Sequence, residues 1–516
     1  MIDARTPILV GVGQLTQRTA RQGNLATSLD PVALLARAAQ LALHDCAAPV
    51  LAAIDTVTAV RFTADSPGDQ GRLPRGMFRN PALSVARKIG ADPRRCFYSA
   101  TGGNTPQSLV NRFAEEIAGG ECDAALLVGG ECLATYLAAV RQGVDPGWGR
   151  GEDGDPGEDP IEIGDMRPGT SSHEKAYGLN FPVNAYPLFE NAIRNARRRG
   201  IDDHLLSLGK LFSPFSKVAA GNPCSWFPKF RAPEEIATPS ETNRFVGFPY
   251  TKFLNAVIEV DMAAAVVIVS VAKALELGVP KTKWVFLHGC ADANDIWNLG
   301  DRVNYFTSPA IRAMGREALA MAGIAVADLA YIDLYSCFPA AVELACEELG
   351  IAEDDPRGLT ITGGLPYFGG PGNNYVMHSI ATMVEKLRAA PGAFGLCTGN
   401  GWYVTKHSAG IFSTKPVEGA WTRKAPASTQ REIDGATHPV VTETPEGQAI
   451  IETYTVATDR KARRFGIIVG RLGDGSRFFA HTPSDAALLD RMTRDEMVGR
   501  PGNVAATPDG NLFYPL

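Results

Sequence analysis

The feature that most constrains the fold is a series of short apolar runs separated by stretches with helical periodicity. In the first part of the chain the strand-like runs are residues 8–13, 55–60, 96–100, 124–130 and 263–270, and the helical patterns are residues 31–46 and 106–120. Strands that alternate with helices are typical of a largely parallel sheet with both faces covered. The sequence therefore predicts an α/β unit in this part of the chain.

The same alternation occurs a second time. Strand-like runs lie at residues 283–289, 329–338, 394–401 and 408–414, and helical patterns lie at residues 311–323 and 373–390. Two similar units in tandem indicate an internal duplication. We place the first unit at residues 1–275 and the second at residues 276–414.

A long insertion, about residues 130–250, interrupts the first unit. It contains an acidic, Gly/Pro-rich segment at residues 145–160, whose composition favours a mobile loop over a core element. A helical pattern follows at residues 184–200. Insertions of this length inside a compact unit usually carry function or shape a site.

The composition changes after Thr414, where prolines recur and the apolar runs become short. Three strand-like runs and one short helical pattern follow, with a Gly-Asp-Gly hairpin signal at residues 473–475. Short strands with one helix in about 100 residues favour a small β-barrel. We therefore expect residues 415–516 to form an OB-like domain.

Charge and composition exclude several classes of protein. The formal net charge is −6, which argues against nucleic acid or an anionic membrane as the main partner. No apolar run reaches the ~18–20 residues of a membrane span, and the first residues do not resemble a signal peptide. The nine cysteines contain no CxxC pair and no metal-ligand spacing. We expect a cytoplasmic protein without a metal site.

Several segments resemble motifs of the thiolase superfamily. Residues 114–131 resemble the helix–strand–GG-E stretch that follows the thiolase nucleophile, and Asp261 begins a DMAAA segment where the family has DGAAA. Residues 395–401 match the CxGxG motif, with Cys397, Gly399 and Gly401 in place. The order and spacing of these motifs cover about residues 5–414, and the C-terminal region resembles that of the thiolase-like protein type 1 group.

This resemblance implies a fold and a ligand. The fold is the duplicated five-layer thiolase fold, with two βαβαβαββ halves, a loop insertion and the additional OB-like domain. The ligand is coenzyme A or an acyl-CoA, bound as a substrate, with no tightly bound cofactor. A homodimer through the first-half sheet and a monomer are both compatible with the resemblance.

The chain departs from the family where the chemistry takes place. Gly103, or a close neighbour, stands where catalytic thiolases have their nucleophilic cysteine, and Cys96 is expected to be a structural thiol in the preceding strand. The NEAF or HDCF motif reads Tyr335-Ser336-Cys337-Phe338, and the GHP motif reads Gly369-Gly370-Pro371. Because glycine cannot be acylated, acyl transfer through this turn is disfavoured.

The remaining candidates for catalysis are Cys397, Tyr335 and Tyr375. Cys397 would be a proton-transferring thiol, or else a small residue at a strand end. The two tyrosines resemble those of thiolase-like aldolases that lack the nucleophile and work with an OB-fold partner subunit. Helix N-terminal amides or a cation would let such a phenol act as a base. The alternative is two half-buried aromatic residues with polar tips.

The predicted substrate-binding residues surround these three. They are Gly103, Asn104, Ser336, Gly370, His378, Gly399 and Gly401. Residues 102–103 are expected to leave open space and free N–H groups for a thioester oxygen. Asn104 and Thr105 are expected to cap the following helix, with Pro106 in its first turn. His378 would orient Asn374 or Tyr375, or would be an ordinary helix-face histidine.

Three functions remain open at this point. The first is an acyl-CoA-binding, acetyl-CoA acetyltransferase-like protein that acts on thioesters at a C–C bond. The second is a retro-aldolase on 3-hydroxyacyl-CoA that uses Tyr335 and Tyr375. The third is a non-catalytic CoA-binding member of the superfamily.

Overall fold

The structure is a computed structural model that describes residues 2–19, 24–66, 78–151, 155–459 and 461–516. The first half contains β1 (Pro7–Thr16), α1 (Pro31–Asp45), β2 (Thr56–Ala59), α2 (Pro81–Ile89), β3 (Arg95–Ser99), α3 (Thr105–Gly119), β4 (Ala124–Cys132) and α4 (Leu133–Arg141). The insertion contains β5 (Ile161–Ile163), α5 (Ser172–Ala176), α6 (Pro182–Ala196), α7 (Ile201–Gly221), α8 (Pro233–Ala237), β6 (Phe245–Gly247) and β7 (Tyr250–Thr251). The first half closes with β8 (Asp261–Ser270) and α9 (Val271–Glu276).

The remaining helices and strands form the second half and the C-terminal region. The second half contains β9 (Val285–Asn294), α10 (Pro309–Ala322), β10 (Leu329–Asp333), α11 (Pro339–Leu349), α12 (Tyr375–Ala389), β11 (Phe394–Gly401) and β12 (Lys406–Ser413). The C-terminal region contains α13 (Pro426–Asp434), β13 (Gly447–Thr458), β14 (Arg464–Leu472), β15 (Arg477–His481), α14 (Ala486–Met492), β16 (Pro501–Thr507) and β17 (Gly510–Pro515).

The two halves share a ten-stranded sheet in the order β10-β11-β12-β9-β1-β8-β4-β2-β3-β5. They meet where β1 and β9 pair over two positions, with Ile8 opposite Phe286 and Leu9 opposite Val285. Helices α3 and α12 pack between the strands of both halves, whereas α1 and α2 cover the outer face of one half and α10 that of the other. The predicted five-layer thiolase fold is confirmed.

The second half is simpler than the predicted βαβαβαββ pattern. Residues 350–374 connect α11 to α12 without a strand, so β3 has no counterpart there. The strand predicted at residues 329–338 ends at Asp333, and residues 335–338 form an irregular connection to α11. Tyr335 therefore lies in this irregular connection and not in the strand.

The insertion is more ordered than its sequence indicates. Helix α7 runs for 21 residues and buries Leu208, Phe212 and Phe215, although Gly209 and Pro214 interrupt its sequence pattern. Strand β5 pairs in parallel with β3 and so forms the outermost strand of the sheet. Of the segment predicted to be a mobile loop at residues 145–160, residues 152–154 lie outside the described part of the chain.

The C-terminal strands form a closed barrel in the order β13-β14-β15-β17-β16, which returns to β13. In chain order, helix α14 lies between β15 and β16, the third and fourth strands of the C-terminal region. Because this strand order and helix position are those of an OB-like barrel, the prediction is confirmed. Strand β6 of the insertion pairs with β13 through Gly247 and Ala457, so the insertion and the barrel share one sheet.

Across the described ranges, no helix has both the length and the apolar content that a bilayer crossing requires.

Candidate functional site

The site is built where two turns meet, each at the start of a central helix. The first turn, residues 100–104, joins β3 to α3, and the second turn, residues 369–374, leads into α12. The backbone N–H of Gly102 donates to Asn373 Oδ1 at 3.0 Å, and Asn373 Nδ2 donates to the carbonyl of Arg61 at 2.8 Å. The expectation of a free N–H at Gly102 is therefore wrong, because the second turn already uses it.

Tyr335 fills the space beside Gly103. A Cβ atom at residue 103 would lie 2.1 Å from Tyr335 Oη and 2.6 Å from the carbonyl oxygen of Asn400. The backbone of Tyr335 is held by a hydrogen bond from its N–H to Thr398 Oγ1 on β11, at 3.0 Å. The prediction of open space at this turn is wrong: glycine is required because a phenol from the other half approaches closely.

Asn104 does not cap α3. Its backbone is already helical (φ −75°, ψ −18°), and its Nδ2 donates instead to Ser408 Oγ at 3.2 Å. Capping residues usually have an extended backbone that turns the side chain back onto the helix, which explains why this prediction is wrong. Pro106 does lie in the first turn of α3, as expected.

The glycines of the CxGxG motif make room for Asn104. A Cβ at Gly399 would lie 2.7 Å from Asn104 Cα, and a Cβ at Gly401 would lie 2.5 Å from Asn104 Oδ1. Strand β11 thus packs directly against the first turn. At the second turn, the N–H of Gly370 donates to the carbonyl of Val257 at 2.8 Å, so it is not free for a ligand.

A buried hydrogen-bond network holds Tyr375. Its hydroxyl contacts Thr362 Oγ1 and accepts from the N–H of Gly364 at 3.1 Å. Thr362 in turn donates from its N–H and its hydroxyl to Asp333 Oδ2, at 3.1 and 3.0 Å. Asp333 also accepts from Ser379 Oγ at 2.8 Å. The network links the end of β10 to the first residue of α12.

The two tyrosines meet edge to face, with ring centroids 5.9 Å apart. Burial raises the pKa of the Tyr335 phenol well above its usual value, and it also raises the pKa of Tyr375. Both phenols are therefore neutral at physiological pH and suited to donate a proton. A tyrosine base requires a lowered pKa, so the raised pKa of both phenols disfavours that hypothesis.

Cys397 is completely buried on β11, opposite Asp333 of β10. Burial and the nearby Asp333 carboxyl raise the pKa of its thiol well above the usual value. Cys96 is partly buried at the start of β3, and burial raises the pKa of its thiol to about 11. Both thiols are protonated at neutral pH, whereas a nucleophilic or metal-binding cysteine must be a thiolate.

His378 and Ser336 are buried beside the second turn. His378 Nδ1 is 3.0 Å from Gln14 Oε1, and its ring packs against Phe368 at 5.2 Å. Burial lowers the pKa of His378 to about 3, so the ring is neutral. Its hydrogen bond goes to Gln14 and not to Asn374 or Tyr375. The hydroxyl of Ser336 is buried without a hydrogen-bond partner in the described part of the chain.

Sequence reasoning missed Lys406, Asp333 and Asn373. Lys406 begins β12, and its Nζ donates to the carbonyl of Thr101 in the first turn at 2.6 Å. Burial lowers the pKa of this amine to about 8. The available signals were a lysine that opens an apolar strand run, an aspartate that ends one, and an asparagine pair after the GGPG segment.

One group of side chains has the composition of a metal site. Glu190, His204 and Glu343 are fully buried, and one potential ligand atom of each lies within 4.8 Å of the others. These groups already have polar partners: His204 Nε2 is 2.7 Å from Glu190 Oε1, and Tyr250 donates to Glu190 Oε2 at 2.6 Å. Arg197 forms an ion pair with Glu343. A hydrogen-bonded ionic network between α6, α7 and α11 accounts for this cluster.

The comparisons place the chain in a family. A crystal structure of a monomeric SCP2-thiolase-like protein type 1 from Mycobacterium smegmatis shares 38% identity with this chain, with a TM-score of 0.85 and 100% of both chains covered. The family model for the thiolase-like protein type 1 additional C-terminal domain matches residues 428–510. The chain therefore belongs to the thiolase-like protein type 1 family.

More distant structures share the fold alone. The Ltp2-ChsH2(DUF35) aldolase has 18% identity and a TM-score of 0.56, covering 79% of this chain and 98% of that chain. An acetyl-CoA acetyltransferase from Syntrophomonas wolfei has 15% identity and a TM-score of 0.52, covering 80% and 100%. No curated protein sequence matches the chain.

Proposed function

We propose that the protein binds an acyl-CoA thioester and acts at the adjacent C–C bond by proton transfer, without an acyl-enzyme. The observation that carries this proposal is the position of Tyr335. Its hydroxyl stands where a side chain at residue 103 would begin, which is the place of the nucleophile in catalytic thiolases. In the described part of the chain this hydroxyl has no hydrogen-bond partner, so it is available to a ligand.

Within this proposal, retro-aldol cleavage of a 3-hydroxyacyl-CoA is favoured over acyl transfer. In that reaction the 3-hydroxyl gives up its proton, the C2–C3 bond breaks to leave a carbonyl at C3, and the thioester enolate takes a proton at C2 from the Tyr335 phenol. The proton released by the 3-hydroxyl restores the phenol, so no net proton is gained or lost. A neutral phenol can donate to the enolate in the last step. Acyl transfer through an acyl-enzyme would need a side chain that becomes acylated, and residue 103 has none. Direct acyl transfer between two bound substrates is the remaining variant, and the thiolysis assay below tests it.

Two further features agree with this reading. Tyr375 touches Tyr335 and is anchored to Asp333 through Thr362, so the pair is held rigidly. The fold is shared with an aldolase whose name includes a DUF35 component, and this chain carries its own OB-like barrel. A fused barrel would take the place of a separate OB-fold partner.

A direct assay tests the proposal. The wild-type protein is incubated with a panel of 3-hydroxyacyl-CoA substrates, and separately with acetoacetyl-CoA plus CoA, and CoA products are identified by mass spectrometry. We expect cleavage of a 3-hydroxyacyl-CoA, and a loss of about 100-fold or more in Tyr335→Phe with ligand binding preserved. The matched control is Tyr454→Phe, which removes the hydroxyl of a tyrosine buried in the barrel.

Two results would contradict the proposal. Thiolysis of acetoacetyl-CoA would mean that acyl transfer takes place despite the missing nucleophile. Binding of CoA without turnover of either substrate would identify a non-catalytic member of the superfamily.

We also propose that the chain acts as a monomer. In the first-half sheet β5 occupies the free edge of β3, so a second copy cannot add its own strand there. The relative from Mycobacterium smegmatis is described as monomeric. Light scattering after size-exclusion chromatography should give the mass of one chain, and the mass of two would contradict this assignment.

A further inference from the structure

Lys406 is a buried cation without an ion-pair partner. Only 6% of its surface is exposed, and no carboxylate of the described residues lies within the 4 Å of an ion pair. Its ammonium has three N–H donors, and among the described residues it donates one hydrogen bond, to the carbonyl of Thr101. A buried charge is costly unless it is paired or fully hydrogen-bonded. Within the described ranges the two remaining donors make no hydrogen bond, so they are open to an acceptor on a ligand.

The ammonium points at the first turn. A Cβ at Gly102 would lie 3.2 Å from Lys406 Nζ and 2.5 Å from Asn104 Oδ1, so both atoms converge on the same residue. Asn104 Oδ1 and Thr101 Oγ1 are also buried without a partner among the residues that the structure covers. Unpartnered buried polar atoms are rare in folded proteins, and here three partly unsatisfied groups surround one glycine.

The nearby charged residues pair with each other and leave the Lys406 ammonium free to bind a ligand. Asp165 raises the pKa of the amine and Arg167 lowers it, and these two residues form an ion pair with each other at 2.6 Å. Burial is the larger effect and brings the pKa to about 8. The amine is therefore mainly an ammonium at pH 7 and mainly neutral above pH 9.

We propose that Lys406 is a substrate-binding residue that donates to the carbonyl oxygen of the acyl-CoA thioester and stabilises the negative charge of its enolate. This inference rests on the proposed function, since it assumes that the thioester lies at the first turn. Lys406 would take the role that the sequence assigned to the backbone N–H groups of residues 102 and 103, because the N–H of Gly102 already donates to Asn373. Charged hydrogen-bond donors aimed at a developing oxyanion are among the largest contributions to catalysis.

The test compares two ligands that differ only in whether the carbon next to sulfur is a carbonyl or a methylene group. Acetyl-CoA has the thioester carbonyl, and S-ethyl-CoA is the thioether without it. Their dissociation constants are measured by calorimetry on the full chain, for wild type and for Lys406→Met, at pH 7 and pH 9.5. Methionine fills a similar volume and removes the buried charge, so we expect the thermal stability to be kept or raised.

We expect the wild type at pH 7 to bind acetyl-CoA about 10-fold or more tightly than S-ethyl-CoA. Lys406→Met should abolish this preference while it leaves the affinity for S-ethyl-CoA unchanged. The preference of the wild type should also weaken at pH 9.5, whereas that of the variant should not change with pH.

The failures are distinguishable. If the wild type binds neither ligand, the proposed function fails and this inference fails with it. If it binds both and Lys406→Met keeps the preference for acetyl-CoA, only the role of Lys406 is overturned. If Lys406→Met weakens the binding of both ligands equally and lowers the melting temperature, Lys406 holds the turn through Thr101 and does not bind the thioester.

Discussion

The two turns that form the site occupy equivalent places before the two central helices, but they contribute different things. At residues 102 and 103 the first turn, residues 100–104, contributes only backbone, and the absence of side chains there lets groups of the second half approach closely. The second turn and its neighbours contribute side chains: Asn373 reaches Gly102, and Tyr335 reaches Gly103. The duplicated fold thus places two unlike surfaces against each other.

This difference shows how two unlike turns build one polar site. Removing the side chain at residue 103 creates a gap in the first half. Tyr335 from the second half fills that gap, and its backbone is fixed by Thr398. Under the proposed function, the chemistry at the first turn therefore depends on a side chain of the second half.

The largest effect is expected in the second half, where Asp333 supports the side chains. Asp333→Ala leaves the N–H groups of Ile361 and Thr362 buried without their acceptor, and it should destabilise the protein by about 3–5 kcal/mol. Asp333→Asn keeps one oxygen for these donors and should cost about 1 kcal/mol. Chemical denaturation checks both, and equal losses would show that one amide oxygen cannot replace the carboxylate and that both of its oxygens are needed.

A side chain at residue 103 tests the first half. In Gly103→Ala the new Cβ overlaps Tyr335 Oη, and we expect a loss of about 2–3 kcal/mol. Gly119→Ala, at the other end of α3, is the control, because its Cβ would meet only Glu121 Oε1 at 3.8 Å. Adding Tyr335→Ala to Gly103→Ala should recover part of the stability; if it does not, the clash with Asn400 dominates.

The third prediction concerns pH and the second half. The folded state keeps His378 neutral with a pKa of about 3, whereas an unfolded histidine titrates near 6.5. The unfolded state therefore binds more protons as the pH falls below 6.5, and stability should drop by about 2 kcal/mol between pH 7 and pH 5 from this residue. His378→Gln removes the titrating ring, so its stability should fall less over the same range.

The comparison of the wild type with His378→Gln separates the effect of His378 on stability from that of groups whose titration has the opposite effect. Burial raises the pKa of Glu131 to about 7, so this carboxyl stabilises the folded state as the pH falls. Glu131 is present in both proteins, and its contribution cancels in the difference. Identical pH profiles for the wild type and His378→Gln would show that the ring is protonated in the folded protein.

The smallest effect is expected at Asn373, whose side chain links the second turn to the first. Asn373→Ala removes the bonds to Gly102 and Arg61 and should cost about 1–1.5 kcal/mol. Asn374→Ala is the adjacent control, since neither polar atom of that side chain has a partner within the described ranges. Its loss should be within about 0.5 kcal/mol. Calorimetric melting of both variants decides whether the turns are joined through Asn373.

The sequence was sufficient for the layers of the fold and for the barrel, because both depend on periodicity that can be read locally. It was not sufficient for α7, whose Gly209 and Pro214 interrupt the apolar pattern although the surrounding phenylalanines are buried. Local patterns describe a single element well. They do not describe an element whose stability comes from its packing.

The site required information that no local pattern contains. Tyr335 could be identified as an altered motif, but its contact with Gly103 depends on how the two halves are aligned. Asp333, Thr362 and Tyr375 form one network from three separate segments. The importance of Lys406 depends on its burial, and a lysine in a sequence is expected at the surface.

Helix α6 contacts the barrel on one side and the CxGxG strand region on the other. On one side Asn191 Nδ2 donates to the carbonyl of Tyr454, and Arg194 forms an ion pair with Glu496. On the other side the hydroxyl of Tyr186 donates to the carbonyl of Trp402, next to the CxGxG strand. The C-terminal domain is consequently not a detachable appendage: a chain cut before it would deprive the Arg194 guanidinium of its carboxylate partner and loosen the contact of α6 with the CxGxG strand in the same event.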